Sequence, residues 1–348
     1  MEVKRKYYVA INGLRAYAAL GIALMHIKAN GNYQIHGFIS EGLIGSMGEF
    51  VFLFMMISGF SMCCGYYNRI INNQITIGEF YSKRYKKVWP YFAVLCLLDF
   101  IIAPSLSALY ETFADLTLCF GLLPNANITV IGVGWFLGVV FVFYLIFPFF
   151  CWLLQNKRRA WCSFVIALVF NILCQIYFFN SDHMVSGFDY RSNFLYCSVY
   201  FLAGGLIFLY RERLSELCGK LRIVSFTACI LAAVAFFLLG KSTFTLLLLC
   251  SLLLIYAIGN YKRARILENR FTHFISGISM EIYLCHMVMF RIVEKLHLTH
   301  IFNNEVADYI VTAVITLAFA VIFSVVMKKV LLTIENNGLR RYRNHNFS

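Results

Sequence analysis

Gly13-Leu14-Arg15-Ala16-Tyr17-Ala18-Ala19-Leu20-Gly21-Ile22-Ala23-Leu24-Met25-His26 is apolar enough for a membrane helix, yet it carries an arginine and a histidine. An ionisable side chain inside a span is costly, and its default reading is functional. The two residues lie eleven positions apart. At ~100° per residue they fall about 20° from a common line on the helix, roughly 16 Å apart along its axis. Either residue alone is as readily an anchor or a satisfied contact between helices. Two on one face point to a polar lining.

The rest of the chain has the same character. Its 348 residues are 61% hydrophobic, 17% aromatic and only 14% charged, with a mean hydropathy of +0.73. Soluble domains carry about 25% charged residues. In lipid, only helices or closed barrels satisfy the backbone, and the apolar runs here are continuous, which favours an all-α, polytopic helical bundle over a barrel. The bilayer is therefore the first expected partner, in a multi-pass protein of the cell membrane (plasma or bacterial inner membrane). Four prolines and no low-complexity linker leave one domain, 1–348. The net charge of +13 sits between apolar runs, where it marks cytoplasmic loops beside anionic lipid and not nucleic-acid binding. Most of the twelve cysteines fall inside apolar runs and read as small buried hydrophobes. Cys63-Cys64 lacks metal or redox spacing, so neither a disulfide nor a metal is expected.

About ten spans are expected, near 9–28, 42–66, 88–104, 132–154, 161–179, 194–210, 223–240, 243–260, 273–294 and 309–331. The cationic groups Lys4-Arg5-Lys6, Lys83 to Lys87, Lys157-Arg158-Arg159, Arg211 to Arg222, Lys262 to Arg270 and Lys328 to Arg343 then all fall on one side, with both termini cytoplasmic. The outer loop after the fifth span carries Asp182, His183, Asp189 and Arg191. The count holds only if 105–131 is not a span. Phe113 to Leu123 is too short to cross and contains Asp115, so an interfacial or re-entrant piece is expected there. The N-terminal stretch lacks a clean small-residue cleavage site and reads as a retained helix, not a signal peptide.

Several segments can carry chemistry. Imidazole is the commonest general base, which nominates His26, and Arg15 cannot titrate and suits an anion or carboxylate. Arg84 and Lys87 are three apart and share a face of what reads as the first turn of the third span, with Pro90 just inside it. Two cations there would reinforce the positive end of the helix dipole, although positive-inside flanking alone explains most such clusters. Ser58-Gly59 reads as close helix packing. Glu49 lies in the outer half of the same helix, within reach of His26. Glu281 and His286 fall in one span, five apart and so not stacked, and suggest a polar cavity with Tyr283 between them. Asp99 is a further buried carboxylate. Trp135 opens the fourth span, where aromatics form interfacial belts.

Together these segments resemble the acyltransferase-3 family of membrane O-acyltransferases. The matching pieces are Arg15 with His26, Ile57-Ser58-Gly59-Phe60, Arg84-x-x-Lys87-Val88-Trp89-Pro90, Trp135 to Leu145, and Ser279 to His286. They occur in family order across nearly the whole chain. The resemblance implies a ten-helix domain that moves an acyl group, commonly acetyl, from cytoplasmic acyl-CoA to a hydroxyl, usually of a surface or exported glycan. It also implies catalytic roles for Arg15 and His26 and a donor role for Arg84 and Lys87. Three departures stand out. Val140 occupies a position where some members have glutamate, Phe52 one where many are acidic, and Lys87 replaces an arginine.

The expected reaction brings acyl-CoA, acetyl-CoA foremost, to Arg84, Lys87 and Lys83 with Ser58 beside them. His26 acts as base or takes the acyl group itself, and Glu281, Tyr283, His286, Trp135 and Glu49 serve the acceptor. The alternative from another class is a membrane transporter or exporter of a glycan or small polar solute, since buried charges also mark substrate pathways. No repeat relates the halves, as it does in many transporters. Homo-oligomerisation is left open.

Overall fold

The structure is a computed structural model and describes residues 8–122, 130–178, 190–260 and 264–346, with side chains of the last helix as far as Glu335. Lys4-Arg5-Lys6, Asp182, His183, Asp189, Lys262 and Arg263, and the side chains of Arg340, Arg341 and Arg343, lie outside the described residues.

Among those residues the chain is helical and has no strand. The helices are α1 (Ala10–Asn30), α2 (Phe50–Ile71), α3 (Ile77–Ile102), α4 (Leu106–Leu116), α5 (Trp135–Leu154), α6 (Lys157–Leu173), α7 (Phe194–Leu209), α8 (Arg211–Lys220), α9 (Arg222–Leu238), α10 (Thr243–Gly259), α11 (Arg270–Gly277), α12 (Ser279–Lys295) and α13 (Glu305–Asn346). Five helical stretches are long and apolar enough to cross a membrane, and seven if the bent pairs α7–α8 (76°) and α11–α12 (70°) each count as one span. Helices occupy all ten expected places, but three do not meet that criterion. In α9 and α10 the helix is only seventeen residues long, and the apolar end of α3 takes in Asp99 and, more than three turns further back, Lys86 and Lys87.

Small residues let the central helices touch. A Cβ on Gly59 of α2 would lie 2.4 Å from the Phe201 carbonyl oxygen of α7, and one on Gly204 of α7 would lie 2.1 Å from that of Met56. Van der Waals contact between backbones replaces the hydrophobic drive that lipid cannot supply. Around this seam Phe143 stacks on Phe201 at 4.2 Å, and Phe52 on Tyr200 at 4.6 Å. By contrast α6 and α13 turn Val165, Ile166, Val169, Ile310, Val314 and Ile322 outward, the apolar surface a bilayer covers.

Two local features correct the sequence reading. The third helix begins eleven residues before Val88, at a capping box in which Thr76 Oγ1 accepts the Glu79 N–H and the Glu79 carboxylate accepts the Thr76 N–H. Arg84, Lys87 and Pro90 are thus in the interior of α3, and the helix dipole contributes nothing to an anion site there. The expected span at 273–294 is broken at Ile278, between α11 and α12.

Segment 105–131 goes in and comes back at one end of α3. From Ser105, α4 runs antiparallel to α3 until the Leu116 carbonyl accepts the Trp89 indole N–H at 2.8 Å. The 3₁₀ turn Phe120–Leu122 then lies against α5, with Gly121 on the backbone of Gly138. The chain reappears beside the end of α3, where the Glu111 carboxylate accepts the Val130 N–H (2.9 Å) and the Asp99 carboxylate the Ile131 N–H (3.0 Å). Among the described residues of this segment no helix is long enough to cross a membrane.

Candidate functional site

Two ionisable layers cross the bundle. The first lies toward the end at which α1 starts. Arg15 Nη2 donates to Ser61 Oγ at 2.8 Å. Arg84 Nη1 reaches Met62 Sδ at 3.5 Å, Nη2 donates to the Tyr66 hydroxyl, and the guanidinium lies 4.6 Å from the centre of the Tyr66 ring. The last turns of α2 thus hold both arginines, although α1 and α3 supply them. Arg84 Nε is buried and has no partner. Lys87, one turn along α3, feels the charges of Arg84, Arg15, Lys328 and Glu281. It keeps an exposed surface. Glu281 bridges to Lys328 at 3.7 Å, so the structure places it with these cations, away from the acceptor side assigned from sequence. Beside Arg84, between α3 and α5, a cavity of about 320 Å³ is lined by Tyr81, Tyr85, Lys86 and Tyr144 among others. Lys83 is exposed and Ser58 half-buried. Ser61, which the sequence reading passed over, takes the hydrogen bond from Arg15, while Gly59 is explained by packing.

The second layer is about eleven residues further along α1. The rings of His26 and His286 have centroids 5.4 Å apart and are inclined by 38°. His286 is fully buried. Its Nδ1 lies 3.2 Å from the Ile282 carbonyl oxygen and must donate to it, since a carbonyl only accepts. Nε2 is therefore left as a bare lone pair, and it has no partner. A buried polar atom without a partner costs about 1–3 kcal/mol, and its retention asks for an explanation.

The wall beside the histidines comes from α12 and the start of α5. Tyr283 stands 6.0 Å from His286, and its hydroxyl donates to the Val133 carbonyl at 3.0 Å. The Phe136 ring lies 5.1 Å from Tyr283, and Trp135, half-buried, meets Phe136 edge-on at 6.4 Å. Trp135, Tyr283, His286 and His26, nominated on three separate helices, thus fall along one connected wall. Glu49 is engaged by Arg191, at 2.7 Å, and Arg191 also lies over the Phe52 ring.

Arg291 went unnoticed in the sequence. It pairs through Nη1 with Asp99 Oδ1, whose other oxygen holds Ile131. Among the described residues no group of three or more His, Cys, Asp or Glu is placed to hold a metal ion.

A family model described as an acyltransferase domain matches residues 8–328. The chain belongs to the acyltransferase-3 family. The match spans both ionisable layers, from the first turn of α1 to Lys328, and makes the protein a membrane acyltransferase. No curated protein and no solved structure matches the chain.

Proposed function

We propose that this acyltransferase moves an acyl group, acetyl foremost, from cytoplasmic acyl-CoA to a hydroxyl of a surface or exported glycan. The observation that carries the proposal is the buried His286, whose Nε2 has no partner and whose ring lies against His26, in the same bundle as the cluster of Arg15, Arg84 and Lys87. In this reading the basic end faces the cytoplasm, as the positive-inside bias favours. The CoA phosphates meet Arg84 and Lys87, and the aromatic cavity beside Arg84 offers its nucleotide a flat-walled seat. The pantetheine arm runs past Arg15 toward His26.

His26 accepts the proton of the incoming hydroxyl as its oxygen attacks the thioester carbonyl. The carbon–sulfur bond breaks, and CoA leaves as the thiol once its sulfur takes a proton. Direct attack by the imidazole, giving an acyl-histidine that the hydroxyl then resolves, uses the same residue. Arg15 holds the donor. Tyr283 and Trp135 shape the acceptor wall. Glu281 balances charge among the mouth cations.

The test is thermal stability of the purified protein titrated with CoA and acetyl-CoA, alongside transfer of labelled acetyl to membrane glycans. CoA-dependent stabilisation together with labelled glycan is expected. No stabilisation and no label would overturn the acyl-CoA donor and the glycan acceptor.

A further inference from the structure

A second cleft lies on the other side of α1, away from the cavity beside Arg84. It has a volume of about 740 Å³ and runs between α9, α10 and the 264–267 turn, with Leu14, Phe226, Cys229 and Leu253 among its walls. Its cations are Arg222 and Arg265. Both are exposed, and no carboxylate is among the described residues that line the cleft. A polar metabolite would find little to bond on these walls. The outer neighbours Ile223 and Ile266, like Phe226 itself, are exposed and apolar, so the cleft opens onto surface of the kind that faces lipid. Arg222 opens α9 just after α8, which bends by 76° from α7. The arginines therefore sit where the chain turns at the basic end, the level of headgroups, with the apolar walls extending away from them.

We propose that this cleft binds an anionic phospholipid, its phosphate between Arg222 and Arg265 and an acyl chain along Phe226, Cys229 and Leu253. The charge complementarity is one-sided, and juxtamembrane arginines attract anionic lipid. The cleft also touches the start of α1. Tyr17 donates its hydroxyl hydrogen to the Ile266 carbonyl at 2.9 Å, and a Cβ on Gly13 would lie 2.3 Å from the Leu267 carbonyl oxygen. A lipid filling the cleft would brace the turn against which Arg15's own helix begins. The proposal does not depend on the acyl-transfer reading.

The test uses the purified full-length protein, delipidated in neutral detergent, with phosphatidylglycerol or phosphatidylcholine of matched chains added. Native mass spectrometry should show preferential retention of phosphatidylglycerol, and thermal stability should rise with it. Arg222→Gln with Arg265→Gln should weaken that affinity roughly fivefold per arginine. In case the double variant folds poorly, Phe226→Trp in the otherwise wild-type chain provides a second reading. Brominated-chain phosphatidylglycerol should quench its additional fluorescence more than brominated phosphatidylcholine does. Equal retention and equal quenching by the two lipids would overturn the assignment. So would loss of CoA-induced stabilisation in the Arg222→Gln, Arg265→Gln protein, which would give the cleft to the donor's phosphates instead.

Discussion

Two pairs of ionisable groups, Asp99–Arg291 and His26–His286, share helix α12, each with one buried and one half-buried member, and differ in how completely the buried member is satisfied. Asp99 is 2% exposed. One of its oxygens pairs with Arg291 and the other accepts the Ile131 N–H, so its charge is spent on fastening the returning end of 105–131. The histidines lie side by side, yet Nε2 of the fully buried His286 has no partner. A satisfied buried charge holds architecture in place. An unsatisfied buried polar atom costs stability, and its retention asks for an explanation; the proposed reaction at the neighbouring His26 offers one. Arg291 and His286 stand about one and a half turns apart on α12.

The comparison breaks first at His26. His26→Ala should lower acetyl transfer by about 10²–10⁴-fold, the usual worth of a positioned base, while the melting temperature in detergent stays near that of the wild type. A variant that transfers normally, or merely unfolds, would place His26 among the structural groups. Asp99→Ala should do the opposite. It leaves Arg291 without its carboxylate and Ile131 without an acceptor, at a cost of about 3 kcal/mol in stability, with transfer per folded molecule largely kept. Chemical denaturation paired with specific activity separates those outcomes.

The mouth is sharpened by Arg84→Ala with Lys87→Ala, which should raise the KM for acyl-CoA about tenfold, the worth of one charge-assisted hydrogen bond. An unchanged KM would move the donor's phosphates elsewhere. The smallest effect is expected from Tyr283→Phe. It removes the hydroxyl that holds Val133 and should cost about 1 kcal/mol of stability, readable as a modest shift in melting temperature.

The helices were legible because they follow from hydropathy, whereas the contacts of Arg15 with α2 and of His26 with α12 do not follow from a spacing of eleven. That 105–131 holds no helix of spanning length was legible from its short apolar run and Asp115. The pairing of His26 with His286 was not, because it depends on α1 packing against α12, some 260 residues later. A separation of 192 residues likewise hid Arg291 from Asp99. The early start of α3 was signalled by Thr76-x-x-Glu79, but the apolar run beginning at Val88 masked it. A helix that extends beyond the bilayer is not bounded by hydropathy.

The account depends most on the donor reaching His26 from the basic end. Acetyl-CoA does not cross bilayers, so it can be supplied to one face of proteoliposomes whose protein orientation is set by tagging the chain beyond Lys328. Release of CoA thiol should occur when acetyl-CoA is on the face carrying Arg84 and Lys87, and should vanish in His26→Ala protein inserted the same way. Thiol release from the opposite face, or undiminished release by His26→Ala, would contradict it.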